Sequence, residues 1–225
     1  MRIVCLSDTH GAHHEIDVPD GDLLLHAGDL SRRGKVPEII AFNKWLGTLP
    51  HKHKVVVAGN HDFLFERQPD VAEALITNAV YLKNSGVEIE GLKIWGSPVT
   101  PWFHDWAFNR RRGADIRRCW ERIPADTEIL VTHGPPQGIL DRTEGGDAVG
   151  CQDLLEFVWQ VKPKLHLFGH IHEAYGQLEA DGIRFVNASI MNMNYFPVNA
   201  PIVVEVSSPT PEGGAFAPCF GDTLV

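Results

Sequence analysis

Short apolar runs rich in β-branched residues recur along the whole chain, and polar residues cut each of them off. Residues 3–6, 23–25, 55–57, 94–95, 129–131, 165–168 and 202–204 have the length and residue types of strands. Helical spacing lies between several of them. Val36, Ile39, Ile40 and Leu46 form one stripe, with Pro37 suited to a first turn. Cys151, Leu154, Leu155, Val158 and Val161 form a cleaner one, and the segments 69–79 and 114–122 also read as helical. Two hairpins are predicted: residues 88–94 alternate around Gly91, and residues 177–186 carry the turn signal Asp181-Gly182. An α/β first half thus meets a second half richer in antiparallel strands. Two packed sheets with helices outside accommodate both. No internal repeat or linker interrupts this, so residues 1–206 read as one domain. Residues 207–225 read as a tail, loosely ordered where it is rich in Pro, Gly and Ser, with Phe216, Phe220, Leu224 and Val225 able to dock at its end.

The polar residues that follow the strands are the informative ones. Five apolar runs end directly in polar clusters: Asp8-Thr9-His10, Gly28-Asp29, Gly59-Asn60-His61-Asp62, His133-Gly134-Pro135-Pro136 and Gly169-His170-Ile171-His172. In α/β sheets ligands bind at the carboxyl ends of strands, so the five clusters can converge on one site. Their donors are hard oxygens and imidazoles without a thiolate, a set suited to manganese, iron, zinc or nickel and too nitrogen-rich for calcium. In an extended strand residues i and i+2 share a face. By that rule Asp8 with His10, and His170 with His172, would each chelate if the strand geometry carries that far. Glycines before Asp29, Asn60 and His170 permit sharp exits and close backbone approach. Asp8, His10, Asp29, Asn60, His133, His170 and His172 exceed what one ion needs. They suit two divalent ions ~3.5–4 Å apart that share a carboxylate and lower the pKa of a bridging solvent to give a hydroxide nucleophile.

Composition narrows the partners. A formal net charge of −9 repels polyanions at long range, which disfavours long nucleic acid or an anionic membrane as partner. A small anionic substrate is still admitted, because bound metal reverses the local sign. The four cysteines are widely spaced and form no C-x-x-C pair, which argues against a disulfide framework or thiolate zinc and fits a reducing cytoplasm. Asp8 interrupts the apolar start too early for a signal peptide, and no run approaches the ~18 apolar residues of a membrane span.

In this order and spacing, D-x-H, G-D, G-N-H-D, H and G-H-x-H resemble the motifs of the calcineurin-like metallophosphoesterase superfamily. All are intact between residues 8 and 172. Gly96-Ser97-Pro98, Pro101-Trp102-Phe103, His133-Gly134-Pro135-Pro136 and Gly138-x-Leu140-Asp141 resemble the small metallophosphoesterase-domain-containing proteins related to class III cyclic nucleotide phosphodiesterases. The resemblance implies an α/β fold, a four-layer αββα sandwich of two mixed β-sheets flanked by helices. It also implies roles. Asp8, His10 and His172 hold one metal, Asn60, His133 and His170 the other, and Asp29 bridges them. His61 faces the phosphate as proton donor to the leaving oxygen or stabiliser of transition-state charge, and Asp62 orients His61 by accepting its other N–H. The implied activity is a phosphodiesterase for small diesters or cyclic nucleotides, with manganese as the first choice of metal and iron or zinc as alternatives. A phosphomonoesterase or protein phosphatase, and a nucleotide-binding regulatory protein with weak turnover, are the competing readings. An amidohydrolase would lead with H-x-H, whereas this chain leads with D-x-H.

Other polar residues read two ways. His26 and His166 sit inside apolar runs and read as hydrogen-bonded core residues. His13 and His14 could line the substrate entrance. Arg110, Arg111, Arg112, Arg117 and Arg118 read as a solvated helix face partly paired with Asp115 and Glu121, or as a phosphate-facing patch. Trp102, Phe103, Trp106 and Phe108 read as packing for some and substrate contact for one or two.

Overall fold

The apolar runs of the first half of the chain become neighbours in one sheet. In the computed structural model, which describes residues 1–207, β1 (Arg2–Leu6), β2 (Leu23–His26), β3 (His53–Val56) and β4 (Val80–Tyr81) lie parallel in that order. The connections carry α1 (Val36–Thr48), α2 (Phe63–Arg67) and α3 (Pro69–Leu75). The second half builds a six-stranded sheet. Here β5 (Ser85–Ile89) turns at Glu90 and Gly91 into β6 (Leu92–Ser97), followed by a short ladder of β7 (Thr100–Pro101) with β8 (Asn109–Arg110). Then come α4 (Ala114–Trp120), β9 (Ile129–Thr132), α5 (Gln152–Val161), β10 (Leu165–Phe168), and the hairpin of β11 (Gly176–Ala180) with β12 (Ile183–Asn187). Strands β6, β9, β10 and β12 are parallel, and β5 and β11 close the two edges antiparallel. Finally β13 (Ile202–Glu205) returns to the first sheet and pairs antiparallel with β1.

Alternation along the strands explains the layers. Leu23, Leu25, Ile129, Val131, Leu165 and Leu167 point into the core between the two sheets. Leu24 and Val56 point outward under Ile39, Phe42, Trp45 and Leu46 of α1. Leu130 and Phe168 point outward under Ile116 and Trp120 of α4 and Leu154 and Val158 of α5. Strands covered on both faces read as unbroken apolar runs, and the four-layer αββα sandwich follows from that. Both hairpins and all four predicted helical segments form, though the helices at 69–79 and 114–122 end early, at Leu75 and Trp120. The five-residue helix α2 and the two-residue strands β4, β7 and β8 are too short to give a periodicity signal. The tail from 208 onward, including the expected docking of Phe216, Phe220, Leu224 and Val225, lies outside the described residues. Among the described residues no helix is long and apolar enough to cross a membrane, and Cys5, Cys119 and Cys151 are free thiols.

Candidate metal centre

Three of the five polar clusters leave their strands through left-handed turns. Asp8 (φ 55°), His10 (φ 41°), Asp29 (φ 54°) and His170 (φ 70°) all have positive φ, which is costly for residues with a Cβ. Strand alternation therefore ends before the ligands begin. His170 and His172 do not share a pole, contrary to the strand-based expectation. The ligand atoms of His172 gather with those of Asp8 and His10, and those of His170 with Asp29 and His133, each group within 4.8 Å. This is the division that the family resemblance implies. Close approach explains the glycines. A Cβ on Gly28 (φ 107°) would lie 2.6 Å from His133 Nδ1 and 2.7 Å from the Ala58 carbonyl oxygen, and one on Gly169 would collide with Asp8 Oδ2 and Ser7 Oγ.

Each carboxylate has one oxygen held by the protein and one turned to the centre. Asp8 Oδ2 accepts from Ser189 Oγ (2.5 Å) and the His170 N–H (2.9 Å). Asp8 Oδ1 is buried without a hydrogen-bond partner among the described residues and faces His172 Nε2 at 3.5 Å. Asp29 Oδ1 accepts the His61 N–H (2.8 Å), and Oδ2 lies 3.4 Å from His133 Nε2 and 3.6 Å from His10 Nε2. The histidines are held from behind. His133 Nδ1 donates to the Ala27 carbonyl (2.9 Å) and His172 Nδ1 to the Asn192 carbonyl (3.1 Å), leaving each Nε2 free for the centre.

These contacts test whether the residues suit a cation. His133 Nε2 sits 2.8 Å from Asn60 Oδ1 and 3.4 Å from Asp29 Oδ2. With Nδ1 donating to a carbonyl, a neutral His133 would turn a third lone pair toward two acceptors. A proton or a cation at Nε2 satisfies that arrangement. Burial would depress His133, but the Asp29 charge outweighs it and the ring is pushed up to about 9. A divalent ion binds in place of such a proton. Burial pushes His10 and His170 down to about 4, the neutral form that ligates. Burial opposes ionisation of Asp8 and Asp29, yet His172 beside Asp8 and His133 beside Asp29 hold both carboxyls well below the usual range. Two ionised carboxylates, one amide oxygen and four imidazoles therefore converge, with His10 and His170 neutral and the His133 proton the one that a divalent metal would displace.

His61 and Asp62 depart from the expected pairing. His61 Nδ1 donates to the Arg32 carbonyl (3.0 Å), and its Nε2 lies 4.0 Å from Asp29 Oδ2. Asp62 does not reach the ring. Its buried carboxylate accepts from the N–H groups of Leu30 (3.1 Å), Ser31 (3.0 Å) and Gly59 (2.8 Å) and from Ser31 Oγ (2.6 Å). Burial and the nearby Asp29 push it up to about 7. Asp62 thus clamps the turns that carry Asp29 and Asn60, instead of orienting His61.

The centre forms the floor of a cleft of about 440 Å³ whose walls include Trp102, Phe103, Trp106, Arg112, Met193 and Tyr195. Trp102 is 61% exposed and Phe103 57%, whereas Phe108 is buried, so the aromatic segment divides as expected between cleft and core. The arginines divide too. Arg117 pairs with Glu156 (2.6 Å) and Arg118 with Asp115 (3.0 Å) on the surface, while Arg112 faces the cleft and donates to the carbonyls of Gly150 and Val149 (2.7 Å each). His13 does not line the entrance: it is 2% exposed and packs against Phe42 and Trp45. His26 and His166 are core residues bonded to Thr9 (3.1 Å) and Thr132 (2.8 Å).

Sequence reasoning missed Ser189, Asn192 and Tyr195. The Tyr195 ring packs edge-on to His10 (4.9 Å) and His172 (5.4 Å). All three follow β12, whose predicted strand 183–186 also ends in polar residues, Asn187 and Ser189, and that was the available signal.

A family model described as calcineurin-like phosphoesterase matches residues 1–174. The chain belongs to the calcineurin-like phosphoesterase family. Within it, metallophosphoesterase domain-containing protein 1 of Homo sapiens is 42% identical over 233 residues, covering 92% of this chain and 72% of its own. A UPF0046 protein of Caenorhabditis elegans is 38% identical, covering 93% of this chain and 77% of its own. The crystal structure of the phosphopantetheinyl hydrolase of Mycobacterium tuberculosis is similar at a TM-score of 0.56 and 16% identity, over 84% of this chain and 88% of that one, a likeness of fold. Calcineurin-like phosphoesterases typically bind divalent metals, and the two ligand groups above are where this chain would hold them.

Proposed function

We propose that this phosphoesterase hydrolyses small phosphodiesters, cyclic nucleotides among them, at a centre of two divalent ions. Asp8, His10 and His172 would hold one ion, Asn60, His133 and His170 the other, with Asp29 Oδ2 shared. Manganese, iron and zinc all suit these donors. When bound, such a pair supplies positive charge for the phosphate oxygens and an acidified solvent molecule.

The observation that carries the reading is the place of His61. Its Nδ1 is committed to the Arg32 carbonyl, so the one nitrogen free to meet substrate is Nε2, beside Asp29 at the cleft floor. In the imidazolium form, which carries a second proton on Nε2, that nitrogen can donate a hydrogen bond or the proton itself to the oxygen on which negative charge develops as the ester bond breaks. The aromatic wall beside it supports an organic group on that oxygen, with Trp102, Phe103 and Tyr195 offering flat apolar surface. A small substrate suits a narrow cleft on a chain of net charge −9, and free thiols suit a cytoplasmic setting.

The test is turnover by metal-stripped protein reconstituted with manganese, iron or zinc. The panel pairs an aryl phosphodiester with its monoester, and 2′,3′- with 3′,5′-cyclic nucleotides. Metal-dependent cleavage with diester preference is expected. Monoester preference would move the function to a phosphatase, and two bound ions without turnover would favour a regulatory nucleotide binder.

A further inference from the structure

We propose that Trp106 is the positioning residue that fixes the ring plane of His61. The inference rests on the reading of His61 as the group beside the leaving oxygen, and it fills the role that Asp62 does not.

A single hydrogen bond does not fix an imidazole. The His61 backbone is tied to Asp29 Oδ1 (2.8 Å), and Nδ1 is tied to the Arg32 carbonyl (3.0 Å). These leave the ring free to rock about its Cβ–Cγ bond, because a terminal sp³–sp² torsion has a broad well. The indole of Trp106 removes that freedom. It lies across the His61 ring at 4.3 Å between centroids, with 32° between planes. His10 meets the same ring edge-on at 4.6 Å and 79°. With both in place, rotation of the ring drives it into the indole or into His10.

The indole is itself anchored to the turn that it steadies. The residue after Trp106 donates its N–H to the carbonyl of Asn60, next to His61 (Ala107 N to Asn60 O, 3.1 Å). Phe108 donates its N–H to Glu66 Oε1 (2.8 Å) on α2, the helix that leaves that turn. Phe63 on α2 stacks against the indole at 5.9 Å and 29°. The loop between β7 and β8 is thus clipped to His61's own turn, which holds the indole against the imidazole. The consequence is a fixed direction for His61 Nε2 in the cleft. Misplacement of a reacting group by ~1 Å costs on the order of 10²-fold in rate.

The competing roles for Trp106 are a wall for the substrate and plain packing, and they predict different readouts. The experiment uses the full chain reconstituted with metal, as wild type, Trp106→Leu, Trp106→Phe and His61→Ala. The substrates are methyl aryl phosphodiesters that differ only in leaving group, 4-nitrophenol against phenol. A poorer leaving group carries more charge and needs His61 more. For Trp106→Leu, kcat with the phenol ester is expected to fall on the order of 10-fold to 10²-fold. The fall with the 4-nitrophenol ester should be smaller, KM nearly unchanged, and bound metal and melting temperature as in wild type. Trp106→Phe, which keeps a flat ring, should recover most of the loss. A crystal structure of Trp106→Leu should show the His61 ring in more than one orientation.

Equal losses with both leaving groups, or a loss confined to KM, would overturn the proposal. If His61→Ala itself showed no dependence on leaving group, the reading of His61 would fall. The crystal structure would then decide positioning alone, an unmoved ring in Trp106→Leu overturning it. Should Trp106→Leu not fold, Trp106→Met, equally without a flat ring but flexible enough to adapt to the gap, carries the same comparison.

Discussion

Ser189 donates its hydroxyl to Asp8 Oδ2 across 2.5 Å, and with the His170 N–H on the same oxygen it leaves Oδ1 as the only free oxygen of that carboxylate. Groups that orient a ligand in this way typically contribute ~10–100-fold to metal affinity. Ser189→Ala should therefore weaken metal binding by about that factor with the fold intact, read by titrating metal into stripped protein and by circular dichroism. An unchanged affinity would show that Asp8 needs no such support.

His61→Ala should lower kcat by ~10²–10³-fold, the usual loss for one donor to developing charge, with metal content equal to wild type. The paired measurement of metal by elemental analysis and of turnover separates a lost donor from a lost centre. Full activity at full metal content would remove His61 from the reaction.

Asp62→Asn should act on stability first. The amide nitrogen would meet donors where the carboxylate accepts four hydrogen bonds, from Leu30, Ser31 twice and Gly59. A loss of at least about 2 kcal/mol is expected, read by urea unfolding of the metal-stripped protein. A variant as stable as wild type yet inactive would restore the expectation that Asp62 serves His61.

His166 should make the protein acid-sensitive. Thr132 Oγ1 donates to the Gly134 carbonyl (2.8 Å), so His166 Nε2 donates to Thr132, and Nδ1 is buried without a partner among the described residues. Burial pushes the ring down to about 3, against ~6.5 in the unfolded chain. Between these values the unfolded state binds a proton that the folded state refuses. Stability is therefore complete above pH ~6.5 and falls with pH below it, by about 1.4 kcal/mol per unit for this group. His166→Gln keeps a donor for Thr132 and removes the titration. Its unfolding free energy, measured from pH 7 to pH 4, should fall less steeply than that of wild type by about that slope, and parallel curves would sink the assignment.

What the sequence by itself determined is the chemistry and the layers. Strands buried on both faces are apolar at nearly every position, so Ile3, Leu24, Val56, Leu130 and Leu167 announce a sheet covered on each side. Metal donors and the glycines that let the turns approach one another admit few substitutes, so Asp8, Asp29, Asn60, His133, His170 and His172 are legible as types in order. Which donors meet was implied by the family resemblance but not by the local pattern, because the tertiary structure decides it. Left-handed backbone at Asp8, His10, Asp29 and His170 cancels the two-residue alternation that a strand would impose, and it sends His170 and His172 to different groups. It also decided who supports the centre. Ser189 reaches Asp8 from 181 residues away, Trp106 reaches His61 from another loop, and Asp62 turns from its neighbour to the turns at Leu30 and Gly59. Such contacts form where the closed fold brings distant backbone together, and a hydroxyl or an indole has no local periodicity that would mark it beforehand.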